Sequence, residues 1–372
     1  MPKHILFIVN PVSGRMRSKA GLFEILDELY RFDTATVPED TARLPLYEAD
    51  RDHEGSGPDG GNVTVPYGYV TPQTLGGDPA TGRQVTVIPT MYRGHATTLA
   101  ATAYDEGYDE VICCGGDGTL NETVSGILRL PAAQRMPLGY IPAGSTNDFA
   151  ASLGLPTSLR GAARVAVGES EAPIDIGLFS PTDRDLPERL FCYIASFGIF
   201  TAASYSTPQS AKNILGHTAY ILEGAKDLAN IRAHHAALRL DGERVVEGDY
   251  MFGAVTNTTS AGGIFKLPAG SVSMADGAFE VFLVHRPRTL TEMRKLTAAL
   301  LAADFEGCPL IEFYHATSVS VILEEPLSWS LDGEEARGGT TLSIRCLPQA
   351  VRIKSTPSHA AKSTAPAPSE RT

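Results

Sequence analysis

The run Val111-Ile112-Cys113-Cys114-Gly115-Gly116-Asp117-Gly118-Thr119-Leu120-Asn121-Glu122 constrains the fold more than any other segment of the chain. A short apolar strand feeds straight into Gly-Gly-Asp-Gly-Thr, and Leu120, Val124, Ile127 and Leu128 continue at helical spacing. Strand, glycine loop and helix in that order present backbone N–H groups and a positive helix end to phosphate. A glycine run after a strand can also be a plain turn, so the motif alone is a weak signal. Two details strengthen it. Thr119 and Glu122 have the S/T-x-x-E spacing of a capping box, which predicts a helix that starts at the loop. Asp117 stands between glycines, where a simple turn has no use for a carboxylate. Beside phosphate it needs either Mg²⁺ or a hydrogen bond to a sugar or a loop amide.

The flanking segments extend the same pattern. His4–Val9 reads as a buried strand followed by Asn10-Pro11-Val12-Ser13-Gly14, and residues 18–31 carry a helical pattern. Val85–Ile88 is a second strand, and His95–Tyr104 a second helical stretch. Leu138–Ile141 is a further strand, ending in Pro142-Ala143-Gly144-Ser145-Thr146-Asn147-Asp148-Phe149. This βαβ alternation predicts a doubly wound, mostly parallel sheet. Such sheets bind ligands beyond the carboxyl ends of their strands. Asn10–Gly14, Gly115–Thr119 and Gly144–Asn147 all fall at that edge. Residues 36–84, rich in Gly, Pro, Asp and Thr, read as an insertion with a short hairpin around Val63-Thr64-Val65.

From about Glu171 the pattern changes to short strands: Tyr250–Thr256, Phe279–Val284, Val319–Leu323, Leu327–Leu331 and Thr341–Cys346. Asp241-Gly242 is a hairpin signal, and one helix spans Leu290–Ala303. The expected organisation is an α/β domain over 1–165, an antiparallel, sandwich-like β domain over 166–354, and a disordered Ser/Ala/Pro-rich tail over 355–372. A cleft between two such domains is the default active site.

A chain of 372 residues with 43% hydrophobic content can bury two cores. Its formal net charge of −12 argues against nucleic acid as a partner. The five cysteines fit no metal spacing and predict buried, reduced thiols, with Cys113 and Cys114 on opposite faces of one strand. No signal-peptide pattern and no apolar run of membrane-spanning length is visible. A cytoplasmic protein that visits a membrane surface is the expectation, and a homodimer is one assembly open to it.

The second domain adds two carboxylate motifs. Ser273-Met274-Ala275-Asp276-Gly277-Ala278 can offer hard oxygens to Mg²⁺, or form an Asx turn that opens a hairpin. Asp332-Gly333-Glu334-Glu335 is a type I′ turn signal that also gathers carboxylates, one of which can serve as a general base.

Taken together these motifs resemble the diacylglycerol kinase catalytic family, which includes bacterial lipid kinases and sphingosine kinases. The residues that carry the resemblance are Asn10-Pro11-x-Ser13-Gly14, Gly115-Gly116-Asp117-Gly118-Thr119-x-Asn121-Glu122, Pro142-x-Gly144-Ser145-Thr146-Asn147-Asp148-Phe149-Ala150, Asp175-Ile176-Gly177 and Leu331-Asp332-Gly333-Glu334. The resemblance implies ATP-dependent phosphorylation of a lipid hydroxyl at a membrane surface, with diacylglycerol as the first candidate acceptor and sphingoid bases behind it. It implies that Asn10, Pro11, Ser13, Gly14, Thr90, Gly115–Thr119, Asn121, Glu122 and Ser145 line the ATP site. Asp117 acts there with Mg²⁺. It further implies that Glu334, with Asp332 as the alternative, takes the hydroxyl proton, and that Ser273, Asp276 and the Ala278 carbonyl hold Mg²⁺. An apolar crevice involving Phe191, Phe197, Tyr220 and Leu222 is expected to admit the lipid chain. A soluble-metabolite kinase similar to NAD kinase, which shares Gly-Gly-Asp-Gly, and a non-catalytic nucleotide- or lipid-binding regulator are the competing readings.

Overall fold

A computed structural model describes residues 3–30, 54–56, 62–64, 73–78, 83–183, 186–199, 232–261, 265–267, 272–305 and 307–357. The chain divides into two compact units, Met1–Ala172 with Val351–Ala360, and Pro173–Ala350 with Ala361–Thr372.

The first unit alternates strand and helix. Its elements are β1 (Lys3–Val9), α1 (Ser13–Ala20), α2 (Leu22–Tyr30), β2 (Glu54–Ser56), β3 (Asn62–Thr64), β4 (Gln73–Asp78), β5 (Arg83–Pro89), α3 (His95–Thr102), β6 (Glu110–Gly115), α4 (Asp117–Ile127), β7 (Leu138–Pro142), α5 (Asp148–Ser152) and α6 (Leu159–Ala166). The sheet runs in the order β7-β6-β1-β5-β4, parallel except for β4, which adds antiparallel to β5. The chain leaves β1 for β5 on one side and returns to β6 on the other. That reversal makes the β1/β6 boundary the switch point where such sheets bind ligands.

Alternation along the strands sorts side chains to two faces. Phe7, Val9, Ile112, Cys114 and Ile141 pack with Ile25 and Leu29 of α2 and with Leu159, Ala162 and Ala163 of α6. Each such burial contributes about 1.5–3 kcal/mol for a large side chain. Cys113 points the other way and meets Thr123 of α4, and burial pushes its thiol up to about 12. The cysteines of the chain are all free. The helix predicted over 18–31 is broken at Gly21, the C-cap of α1, where a Cβ would come within 2.2 Å of Leu159 Cδ1 on α6. The predicted hairpin in the insertion is the β2–β3 pair, with Gly55 opposite Val63.

The second unit consists of β8 (Glu171–Pro181, beginning just before the boundary), β9 (Arg189–Phe191), β10 (Ile194–Gly198), β11 (His234–Leu240), β12 (Arg244–Thr256), β13 (Ser260–Ala261), β14 (Phe265–Lys266), β15 (Phe279–His285), α7 (Leu290–Ala302), β16 (Ile311–Ala316), β17 (Ser318–Leu323), β18 (Ser328–Leu331), β19 (Glu334–Arg337) and β20 (Thr341–Lys354). Antiparallel pairing runs β19-β18-β10-β12-β11-β17-β20, and β15 links β12 to β16. Asp241-Gly242 and Asp332-Gly333 have φ values of 50° and 78°, and of 50° and 86°. Positive φ at both central residues is the type I′ geometry that suits the twist of hairpin strands.

Phe191 and Phe197, predicted to line a lipid crevice, lie instead in the core of this unit. Phe191 packs on Phe279 with ring centroids 5.5 Å apart, and Phe197 on Trp329 at 4.9 Å. Tyr220 and Leu222 lie outside the described residues. The last residues of β20 belong to the first unit, where Ile353 pairs in parallel with Leu138. Lys354, only 1% exposed at its side chain, sits 2.7 Å from Glu110 and 2.8 Å from Glu171. Ser355, the first residue of the predicted tail, is buried, and its N–H donates to the Ser170 carbonyl. Residues 358–372 lie outside the described residues. Among the described residues no helix is long and apolar enough to cross a membrane.

Candidate active site

Three glycine loops of the first unit, with Thr90 after β5 beside them, meet at the carboxyl edge of its sheet. The Asn10 N–H donates to Cys114 O at 2.8 Å, the Thr90 N–H to Val9 O at 2.8 Å, and the Ala143 N–H to Gly115 O at 2.7 Å. The backbones then approach closer than any side chain permits. A Cβ on Gly14 would lie 1.9 Å from the Ala143 carbonyl oxygen, and one on Gly144 would lie 2.6 Å from Gly116 Cα. Gly14 also has φ +53, so glycine is required there on two counts. Of the sequence-predicted nucleotide residues, the structure brings Asn10, Pro11, Ser13, Gly14, Thr90 and Gly115–Thr119 together at this edge. Ser145 is exposed on the third loop.

Asn10 ties the first loop to the second. Its Nδ2 donates to Thr119 Oγ1 at 3.0 Å, its Oδ1 accepts from the Val12 N–H, and its carbonyl accepts from Ser18 Oγ. Asn147, at φ +53, closes the third loop by accepting from the Gly144 N–H at 2.9 Å and donating to the Gly144 carbonyl at 3.0 Å. These contacts leave Asn-Pro-x-Ser-Gly, Gly-Gly-Asp-Gly-Thr and Gly-Ser-Thr-Asn as one continuous backbone surface.

The capping box predicted at Thr119 and Glu122 does not form. Helix α4 starts three residues earlier than that box requires, with Gly116 as N-cap and no side chain capping it. Thr119 turns to Asn10, and Glu122 Oε1 accepts from the Gly94 N–H at 2.8 Å, holding the start of α3. An eleven-residue helix whose N-terminus no N-cap side chain covers is the arrangement that binds an anion. Asn121, one turn into α4, accepts from Ser125 Oγ at 3.5 Å.

Asp117 is the first residue of α4 and is buried. Tyr140 Oη lies 3.4 Å from Asp117 Oδ1 and 3.4 Å from the Gly115 carbonyl. Burial, reinforced by the Asp117 charge, raises the Tyr140 hydroxyl well above its ordinary value, so it stays protonated as a donor. Tyr140 was invisible as a site residue in the sequence, where it reads only as one apolar position of a strand. Its partner is 23 residues away.

In the second unit, Asp332 and Glu334 separate into different environments. The buried Asp332 carboxylate accepts from the N–H groups of Cys192 at 2.5 Å, Tyr193 at 3.0 Å and Ile194 at 3.1 Å. It holds the start of β10. Glu334 is 39% exposed at its side chain and pairs with Arg189, whose Nη2 lies 3.4 Å from Glu334 Oε2 and whose Nη1 donates to Glu335 O at 2.6 Å. Arg189 is a second residue the sequence did not single out, since it opens a strand of only three residues.

Ser273, Asp276 and Ala278 lie in adjoining turns. Ser273 Oγ accepts from the Ala275 N–H at 3.4 Å and Asp276 Oδ1 from the Ala278 N–H at 3.2 Å. The other Asp276 oxygen lies 3.4 Å from His315 Nε2, and His315 Nδ1 lies 3.6 Å from Glu280 Oε1. The Asp276 and Glu280 carboxylates push the imidazole up to about 10, and burial pushes Glu280 up to about 7. Among the described residues no group of three or more His, Cys, Asp or Glu side chains is placed to hold a metal ion. In this arrangement the Ser273 hydroxyl and one Asp276 oxygen serve the turns, and the other Asp276 oxygen faces His315. Asp175, from the Asp-Ile-Gly motif, accepts from the N–H groups of Gly277 at 2.7 Å and Gln349 at 2.6 Å and so anchors this turn.

Fold and site define a phosphotransferase with a nucleotide-type glycine edge. Residues 79–179 match the family model described as diacylglycerol kinase catalytic domain, and residues 194–355 match the YegS C-terminal NAD kinase beta sandwich-like domain. A diacylglycerol kinase of Bacillus subtilis strain 168 is 34% identical over 254 residues, covering 68% of this chain and 80% of that protein. A diacylglycerol kinase of Staphylococcus saprophyticus is 32% identical over 253 residues, covering 68% and 79%. A crystal structure of a diacylglycerol kinase from Bacillus anthracis strain Sterne superposes with a TM-score of 0.62 at 19% identity, covering 96% of this chain and 98% of that one. The chain belongs to the diacylglycerol kinase catalytic family and is a kinase. The matched catalytic segment starts at residue 79, so the Asn10–Gly14 loop lies outside it and is joined to the site by its contacts with Cys114 and Thr119.

Proposed function

We propose that this protein transfers the γ-phosphoryl group of ATP to the free hydroxyl of diacylglycerol, forming phosphatidic acid and ADP. The observation that carries the reading is the meeting of three glycine loops around the uncapped start of α4, with Asp117 at its first position. Backbone N–H groups from Gly116 to Thr119 bind the phosphate oxygens, and the α4 dipole stabilises their charge. The hard oxygens of Asp117 suit Mg²⁺, which when bound with the nucleotide neutralises phosphate charge. Tyr140 fixes the Asp117 carboxylate through its hydroxyl.

Glu334 is the base that accepts the proton of the acceptor hydroxyl, and Arg189 orients it. Asp332 has a structural part, because its carboxylate is already engaged by the backbone donors that open β10. Phosphoryl transfer asks mainly for positioning and charge stabilisation, so these groups suffice without a covalent intermediate.

The test is a panel of acceptors offered to purified protein with γ-labelled ATP and Mg²⁺. It includes diacylglycerol, a sphingoid base, phosphatidylglycerol and NAD. Label in phosphatidic acid is the expected result. Label in a sphingoid base would change the acceptor within the same chemistry, and label only in NAD would overturn the lipid reading.

A further inference from the structure

The residues from Arg286 to Lys295 contain Arg286, Arg288, Arg294 and Lys295 against a single carboxylate, Glu292, in a chain whose formal net charge is −12. They lead into and form the first turns of α7. The helix is two-faced. Met293, Leu296, Thr297 and Leu300 are buried against the unit, at helical spacing. Leu290, Arg294, Lys295, Ala298 and Leu301 return every three or four residues on the other face, and all are exposed. Leu290 is 59% exposed and Leu301 61%, so two leucines flank the paired cations on the solvent side.

Among the described residues of α7 no carboxylate shares that face. Glu292 is half-buried and its Oε2 accepts from the N–H groups of Arg288 at 2.6 Å and Thr289 at 3.2 Å, closing a capping box with Thr289. Its charge is directed to the helix N-terminus, where it complements the dipole. The solvent face of an ordinary helix mixes both signs of charge with few large apolar groups. A face that carries cations of one sign, with exposed leucines at its ends, is complementary to an anionic lipid surface.

We propose that this face of α7 docks the protein on the surface of an anionic lipid bilayer, with Arg294 and Lys295 meeting acidic headgroups and Leu290 and Leu301 entering the headgroup boundary. The biological purpose of such docking rests on the lipid-kinase reading, but the binding itself is measured without it. Each cation held near an anionic surface strengthens partitioning by about 1 kcal/mol, or about fivefold, and the effect decays within a Debye length.

The experiment is co-sedimentation of the full chain with vesicles of phosphatidylcholine alone and of equal parts phosphatidylcholine and phosphatidylglycerol, at low and high salt. The wild type should bind the mixed vesicles, and lose that binding in high salt. Arg294→Gln with Lys295→Gln should lower the partition coefficient roughly 30-fold, the product of two such contributions. Leu290→Ser with Leu301→Ser should weaken binding at either salt. These side chains are exposed, so melting curves should overlay and turnover of a water-soluble short-chain diacylglycerol should be unchanged. Equal binding to both vesicle types, or undiminished binding by both double variants, would overturn the proposal. So would a change in oligomeric state without a change in vesicle binding, which would make the face a self-interface. Loss of soluble-substrate turnover in the wild type would count against the kinase reading alone.

Discussion

Asp332 and Glu334 stand two residues apart in one hairpin and have different fates. Asp332→Ala leaves the N–H groups of Cys192, Tyr193 and Ile194 without their shared acceptor, and such loss costs about 1–3 kcal/mol. Its denaturation midpoint should fall while a properly folded fraction keeps its turnover chemistry. Glu334→Gln should do the reverse, cutting turnover by about 10²–10⁴-fold with an unchanged melting curve and unchanged ATP affinity. Near-normal turnover in that variant would assign the proton to another acceptor. The sequence showed both carboxylates but not their division of labour. What separates them is a set of donors about 140 residues away, and no local pattern reports such a pairing. Tyr140 was hidden for the same reason. Tyr140→Phe should lower turnover several-fold while leaving stability nearly unchanged, because its hydrogen bonds are long at 3.4 Å.

At the level of elements, the glycines of the loops are not equivalent. Gly14→Ala forces a Cβ onto the Ala143 carbonyl oxygen and parts the first and third loops. ATP affinity measured by calorimetry should fall at least tenfold, about 1.4 kcal/mol. Gly94→Ala meets nothing within 4 Å and bears only the cost of φ +86, about 1–2 kcal/mol of stability. An equal loss of ATP affinity in the two variants would contradict the convergence of the loops. The parallel sheet, its edge and most β-hairpins were legible, because buried strands read as apolar runs and Asp-Gly marks type I′ turns. The capping box was misplaced. Ser/Thr-x-x-Glu spacing occurs at both Thr119 and Thr289, and only the second lies at a helix start. The need for a glycine at Gly21 was not legible, since the side chain that crowds it, Leu159, lies on a distant helix.

For the molecule as a whole, each unit carries a charged group that its fold must hold. In the first, Lys354 is buried between Glu110 and Glu171 and fastens the end of β20. In the second, His315 is held protonated by Asp276 and Glu280, with its titration raised from 6.5 to about 10. A raised folded-state value means that the contribution is complete below the unfolded value and is lost as pH rises toward 10. The melting temperature of the wild type should therefore fall between pH 7 and pH 10, and that of His315→Gln should fall less over the same range. A flat wild-type profile would remove His315 from the account. The central claim concerns the first unit, where Asp117 opens a helix that no N-cap side chain covers, at the edge where three loops meet. The most direct measurement is transfer of γ-labelled phosphate from ATP to a short-chain diacylglycerol by the wild type and by Asp117→Asn, with melting curves recorded for both. Labelled phosphatidic acid from the wild type, and a folded Asp117→Asn slower by about 10²-fold or more, is the predicted result. A folded Asp117→Asn that labels the lipid at the wild-type rate would contradict it.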